Sequence, residues 1–311
     1  MSFSNLLCRI GLPKIWRQIN QRSIPVLMYH GVLPDDDPIG DGDWLQVRCS
    51  EFSAQMAYLR RYYEPVSLID ALNNNLSYST KPFVVITFDD GYANNLNYAY
   101  PILQKFDVPA TIFLATAFIN TRRLFWWDRL HLSLSGWGAP TISDISARLK
   151  QLPPKDIDQA LETLVQEITG ESPLAGDAAP DSYRALTVDE IHYLNKSGGI
   201  DFGSHTHGHE ILEHLSDTQL IETLSNANHL LSSWGVKTQL FAAPNGSYLD
   251  RQIPFIKQAG LRCCVSTAEG LWRPPEALFR IPRIGIGRDM PIEKFALNIS
   301  GVLHDLRFWK N

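Results

Sequence analysis

No stretch of this sequence approaches the roughly 20 consecutive apolar residues of a membrane-spanning helix, which sets integral helical membrane proteins aside. Cysteine is scarce. Cys8, Cys49, Cys263 and Cys264 have neither C-x-x-C spacing nor the density of a disulfide scaffold, and they read as reduced core residues. Basic charge is not in excess: 28 Lys and Arg stand against 33 Asp and Glu, a net charge of -5. Without a cationic stripe to neutralise phosphates, nucleic acid is not expected as a partner. Charge blocks, low-complexity tracts and internal repeats are also missing, so long disorder is not expected. Leu6-Leu7-Cys8 is too short for the apolar region of a secretory leader and Arg9 interrupts it, which gives a cytoplasmic expectation.

What is present is enough chain, 311 residues, for one large core or a core with a small subdomain. Residues 1–23 read as an N-terminal arm in which Arg9, Lys14, Arg17 and Arg22 are interleaved with Leu6, Leu7, Ile10, Ile15, Trp16 and Ile19. The pattern fits a peripheral contact with the inner membrane face, or a helix packed on the domain, and Pro13 favours the second. Ile24 to Tyr29 then forms a short strand that delivers His30 and Gly31 into an acidic loop.

The chain is organised around Val84-Val85-Ile86-Thr87-Phe88-Asp89-Asp90-Gly91-Tyr92. An apolar, β-branched run ending in two carboxylates and a glycine reads as a buried strand with acids at its carboxyl end. Buried carboxylates need a cation, a metal or water there, although an Asp-Asp-Gly turn alone fits the same residues. Helix Tyr98 to Phe106 and strand Pro109 to Leu114 follow, so strands alternate with helices as in a parallel sheet whose active groups gather at the strand ends. The strand rhythm lapses from about residue 118 to 185, which reads as an inserted helical cap with Ile157, Leu161, Leu164 and Ile168 on one helix face. Thr187 and Glu190 form a capping box for helix Val188 to Asn195, and strand Ile200 to Ser204 hands over to His205. Further strands are expected at Phe241 to Pro244, Arg262 to Ser266 and Phe279 to Ile286, with a closing helix over Pro291 to Leu303. The total of about seven strands suits an incomplete or distorted β/α barrel.

His205-Thr206-His207-Gly208-His209 places three imidazoles in five residues at a strand end. His205 and His209 converge on one ion if the chain turns helically there, whereas His207 points elsewhere. With one carboxylate they make a catalytic metal site with open positions. These two motifs, Thr87-Phe88-Asp89-Asp90-Gly91 and His205-Thr206-x-x-His209, resemble the first two motifs of the NodB-type polysaccharide deacetylases, carbohydrate esterase family 4. The likeness spans about 24–286 apart from the cap and implies a distorted (β/α)7 barrel within a deacetylase domain at 24–311. It implies Asp89 as general base, Asp90, His205 and His209 as metal ligands, and the backbone N–H of Tyr92 as an oxyanion donor. The metal is zinc by default, with cobalt, nickel or manganese as alternatives.

The family's third motif carries an arginine that Phe241-Ala242-Ala243-Pro244-Asn245-Gly246 lacks, and its fourth is not recognisable. Arg283, with Arg280 second, is the candidate to brace the base; a structural salt bridge is the alternative. Leu303-His304-Asp305 mimics the fifth motif but falls in an expected helix. Val26 to His30 instead resembles that strand moved to the front, as in the permuted poly-N-acetylglucosamine deacetylase branch, making His30 the general acid; a buried histidine satisfied by a carbonyl is the alternative. The function implied is hydrolysis of the N-acetyl group of N-acetylhexosamine in a polysaccharide or its precursor, releasing acetate, with Trp44, Trp126, Trp127 and Tyr248 as candidate sugar platforms. Two alternatives are a hydrolase of a small or cyclic amide on the same barrel and a catalytically degenerate glycan-binding protein.

Overall fold

Short apolar runs alternating with amphipathic helices produce a parallel sheet wrapped by helices. The structure, a computed structural model, describes residues 3–308 apart from 41, 77–78 and 138. The strands are β1 (Val26–Tyr29), β2 (Gly31–Leu33), β3 (Gln46–Arg48), β4 (Glu64–Pro65), β5 (Phe83–Phe88), β6 (Ala110–Leu114), β7 (Ile200–Ser204) and β8 (Ile284–Gly285). The α-helices are α1 (Phe3–Arg9), α2 (Leu12–Ile19), α3 (Cys49–Tyr62), α4 (Leu68–Asn73), α5 (Tyr100–Phe106), α6 (Trp126–Ser133), α7 (Ala139–Leu149), α8 (Pro154–Thr169), α9 (Val188–Ser197), α10 (Asp217–Ser233), α11 (Ile253–Gln258), α12 (Ile292–Ile299) and α13 (Val302–Phe308).

The main sheet runs β7-β6-β5-β1-β8, all parallel, with β4 also beside β5. Single parallel bridges, Ser204 to Phe241, Ala242 to Val265 and Val265 to Ile281, carry the pairing from β7 round to the segment that contains β8. Val26, Val85, Phe113, Ala242, Val265 and Ile281, one from each of six paired segments, meet in one buried cluster, as side chains filling a barrel do. On the other face of β5, Val84, Ile86 and Phe88 pack among the helices. The segments expected as strands over Phe241 to Pro244 and Arg262 to Ser266 are thus reduced to isolated bridges, and that over Phe279 to Ile286 to a bridge at Ile281 and the short β8. Pro282, which has no N–H to donate, interrupts the ladder beside Ile281, and this side of the ring is the distorted one.

Register places the site. Tyr29 lies opposite Phe88, so β1 and β5 end level and release His30 and Asp89 side by side, with Asp89 N–H donating to Tyr29 O at 3.0 Å. Leu114 lies opposite Ser204, and His205 N–H donates to Leu114 O at 3.0 Å.

Between β6 and β7, α6, α7 and α8 share a core of Leu130, Leu134, Ile145, Leu149, Leu161 and Val165. The sequence reading placed an amphipathic helix where α8 stands and named none over α7, which begins at Ala139. The box that opens α9 forms, with Glu190 N–H donating to Thr187 Oγ1 and Thr187 N–H to Glu190 Oε2. The expected closing helix is broken into α12 and α13 at Gly301, whose φ of 92° is a left-handed turn.

Candidate active site

At the end of β5 the chain leaves the strand through two left-handed residues, Asp90 (φ 73°) and Gly91 (φ 78°). A Cβ on Gly91 would lie 2.7 Å from Leu114 Cδ2, so both the dihedral and the space call for glycine. Asp89 is buried and gripped at both oxygens by Arg283, whose two terminal nitrogens donate to Oδ1 and Oδ2 at 2.7 Å each. The guanidinium is itself fixed, donating to Thr87 Oγ1 at 3.1 Å and to Ser266 O at 2.9 Å. Burial works to raise the Asp89 pKa, but the Arg283 charge, then His205, the Arg283 hydrogen bonds and His30, hold it well below the usual carboxylate range. Of the two arginines singled out, Arg283 meets Asp89, while Arg280 pairs with Asp250 at the surface.

The neighbouring carboxylate has no such partner. Both oxygens of Asp90 are buried without a hydrogen bond, and Oδ1 lies 3.4 Å from Nε2 of His205 and 3.4 Å from Nε2 of His209. The ligand atoms of the three residues fall within 4.8 Å of one another. His205 donates from Nδ1 to Ala242 O at 2.7 Å, which leaves Nε2 facing Asp90 as the atom available to an ion. Burial pushes the His209 imidazole down to about 3, so it is neutral at neutral pH, whereas at His205 burial is outweighed by the Asp90 and Asp89 carboxylates, which raise its pKa. An orphaned carboxylate facing two imidazole nitrogens fits a divalent cation, and the donor set suits a catalytic zinc-type ion. The two histidines do not converge through a helical turn as the spacing predicts: Thr206 (φ 64°) and His209 (φ 59°) are both left-handed and fold the loop back. His207 points away, its Nδ1 2.9 Å from Thr116 Oγ1.

His30 joins the same cavity of about 740 Å³, with a buried Nδ1 that has no hydrogen-bond partner, unlike a histidine satisfied by a carbonyl. Tyr92 follows Gly91 and is fully buried, its phenol oxygen accepting from Trp127 Nε1 at 3.1 Å and donating to Asp128 at 2.9 Å. Trp44, half exposed at 51%, and Trp127 line the cavity. Trp127 stacks on Phe125 with centroids 4.5 Å apart and lies 4.5 Å from the His209 ring. Trp126 instead packs against the core of α6–α8, and Tyr248 is buried elsewhere with its hydroxyl donating to Phe279 O; neither lines the cavity.

Two carboxylates in the cavity wall were not singled out from sequence. Asp43 accepts from Tyr183 at 2.9 Å, and Asp128 sits on the first turn of α6. Burial, then the negative charge of Asp43, pushes Asp128 well above the usual range, outweighing the Tyr92 hydrogen bond. The only signals were an acidic loop and an Asp after two tryptophans, and neither shows a partner until α6 folds over the barrel. A carboxyl whose folded pKa is raised contributes fully below its unfolded pKa of about 4 and becomes a liability as pH rises toward the folded value. Asp128→Asn, which keeps an acceptor for Tyr92, should therefore raise the melting temperature at pH 8 and leave it nearly unchanged at pH 4, measured by thermal denaturation. An equal shift at both pH values would mean that Asp128 is not held neutral.

The fold and the cluster at its strand ends define a class, parallel α/β barrels with a carboxylate–histidine centre. The chain belongs to the polysaccharide deacetylase family, whose model matches residues 77–264, more than half of its length. It is 39% identical over 95 residues to YxkH of Bacillus subtilis (strain 168), covering 29% of this chain and 31% of that one. It is 36% identical over 87 residues to the poly-beta-1,6-N-acetyl-D-glucosamine N-deacetylase of Escherichia coli (strain K12), covering 27% of this chain but 12% of that enzyme. These matches span a third or less of the relatives' length. Among solved structures, the Streptococcus pyogenes deacetylase PplD in complex with acetate superposes with a TM-score of 0.61 at 22% identity, covering 89% of this chain and 98% of that one. IcaB from Ammonifex degensii gives 0.59 at 18%, covering 89% and 97%. The shared fold is the deacetylase barrel expected from the two motifs.

Proposed function

We propose that the protein is a metal-dependent N-deacetylase that removes acetyl groups from N-acetylhexosamine units of a polysaccharide or its precursor. The observation that carries this reading is Asp89, held ionised by Arg283, beside an unpartnered Asp90 facing His205 and His209, with His30 in the same cavity. Residues 24–311 then form the deacetylase domain, with the helices between β6 and β7 as a cap over its mouth. Membership of the deacetylase family and the match to a poly-N-acetylglucosamine N-deacetylase support an N-acetylated glycan as substrate.

Asp90, His205 and His209 would hold the ion, zinc by donor set, with cobalt, nickel and manganese as alternatives. Such an ion supplies Lewis acidity, polarising the acetamide carbonyl and making a water acidic near neutral pH. Asp89, ionised at all physiological pH values, accepts the proton of the attacking water. The backbone N–H of Tyr92, two residues beyond Asp90, would donate to the oxyanion of the tetrahedral intermediate. His30 donates a proton to the nitrogen as the C–N bond breaks, since an amide anion is too poor a leaving group to depart alone. Trp44 and Trp127 offer aromatic faces to the pyranose rings.

The test is acetate release from N-acetylglucosamine oligomers and a lipid-linked N-acetylhexosamine by the purified protein. Release from either supports the reading and separates polymer from precursor; release only from small or cyclic amides contradicts it. His30→Gln should lower turnover of the oligomers by about 10²-fold or more. It should spare an aryl acetate, whose phenolate departs without a proton. Equal losses on both substrates would remove His30 from the acid role.

A further inference from the structure

The N-terminal arm is committed on one side and bare on the other. Its helices α1 and α2, joined through Gly11, pack on α12 and α13, where Leu7, Leu297 and Val302 are buried together with Cys8, Leu12, Trp16 and Leu303 against them. Trp16 Nε1 donates to Asp305 Oδ2 at 2.7 Å and Asn20 Nδ2 to Ser300 O at 3.0 Å, so the arm is fixed on the barrel wall. The outer side carries Leu6, Ile10, Ile15 and Ile19, exposed by 44%, 60%, 47% and 66%. Four of the ten large apolar side chains exposed among the described residues thus fall within fourteen positions. Residues 3–24 hold Arg9, Lys14, Arg17 and Arg22 and no acid, on a chain whose net charge is -5. Between the arm, α3 and α12 lies a groove of about 520 Å³ lined by Lys14, Arg17, Arg61, Tyr58 and Tyr62, with Glu293 its single acid. Arg17 lies 4.7 Å over the Tyr62 ring, and Arg61 lies 5.2 Å over it.

We propose that this face is a seat for an anionic lipid bilayer. The two helices lie in the membrane surface, with Leu6, Ile10, Ile15 and Ile19 entering the boundary between headgroups and acyl chains. Lys14, Arg17, Arg22 and Arg61 face the lipid phosphates. Aliphatic residues on one side of a short helix, flanked by cations and free of acids, are the pattern of an interfacial helix, and cations near an anionic surface add to its affinity. No helix among the described residues is long and apolar enough to span the bilayer, so the arm lies on it. A second copy of the chain is the poorer occupant, because a two-fold contact through this face would bring the same cations together. The seat does not depend on the catalytic reading.

The full chain is floated with vesicles of phosphatidylcholine alone and of phosphatidylcholine mixed with phosphatidylglycerol. Binding is expected to the mixed vesicles, at least tenfold weaker to the neutral ones and released by salt. The triple variant Ile10→Ser, Ile15→Ser, Ile19→Ser should bind at least tenfold more weakly, and so should Lys14→Glu with Arg22→Glu. Both should keep the wild-type melting temperature and oligomer deacetylation, which lie outside the arm's outer face. Absence of vesicle binding by the wild type, or undiminished binding by the triple variant, overturns the proposal. A wild-type dimer that the triple variant converts to monomer, without vesicle binding, assigns the face to a second copy instead. Acetate release is read separately, so failure of the seat and failure of the deacetylase reading are told apart.

Discussion

Asp89→Asn should lower kcat on an N-acetylated oligomer by about 10²–10⁴-fold, the range that a positioned general base contributes, with KM and metal content close to wild type. Asparagine keeps the size of the side chain and an acceptor for Arg283, but it takes no proton from water. Its neighbour Asp90 gives the contrast: Asp90→Ala should lose both turnover and bound metal, because Asp90 carries the orphaned oxygens that face His205 and His209. The two carboxylates are adjacent in sequence yet face different partners, so the pair of variants separates proton transfer from metal binding. Full activity in Asp89→Asn would remove the base assignment.

The second large effect concerns Arg283, which is fully buried and bonded to Asp89, Thr87 and Ser266. Arg283→Met, close to isosteric along its stem, leaves the Asp89 carboxylate buried without its cation. Breaking a buried pair in this way typically costs about 3–5 kcal/mol. The sign of the pH dependence follows from the depressed Asp89 pKa. The pair's contribution is full above the unfolded carboxylate value of about 4 and is lost as pH falls through the lower folded value. The stability difference between wild type and variant should therefore be largest at pH 7 and shrink toward pH 3, by chemical denaturation at several pH values. Turnover should shift in parallel: with Arg283 gone the Asp89 pKa rises, and the acid limb of the rate profile moves up toward neutrality. A pH-independent difference would mean that the arginine packs rather than pairs.

The residues that sequence made legible are those whose chemistry is local. Asp89 and Asp90 end an apolar run, and His205 and His209 sit at one strand end, so a short window shows both the element and what it delivers. His30 was legible because the same pattern, an apolar strand handing over a polar residue, recurs at β1. Arg283 was only one of two candidates. Its partner is 194 residues away, and the choice between it and Arg280 depends on β8 lying beside β1 and β1 beside β5. Asp43 and Asp128 were illegible for a related reason: nothing near them in sequence marks a carboxyl that loses water only when α6 closes over the barrel. Of the later expected strands, Phe241 to Pro244 and Arg262 to Ser266 form only isolated bridges, while Phe279 to Ile286 keeps β8 near its end. The N-terminal arm was readable as amphipathic, but only packing shows which side is spent on α12 and α13.

The most direct test of the catalytic account is a joint measurement of bound metal and acetate release on the purified full chain, before chelation, after it, and after add-back of zinc, cobalt, nickel or manganese. The account predicts one equivalent of metal held through Asp90, His205 and His209, release of acetate from an N-acetylglucosamine oligomer that disappears with the metal and returns on add-back, and no recovery in Asp90→Ala. Acetate release that survives complete removal of the metal, or stoichiometric metal in Asp90→Ala, would contradict it.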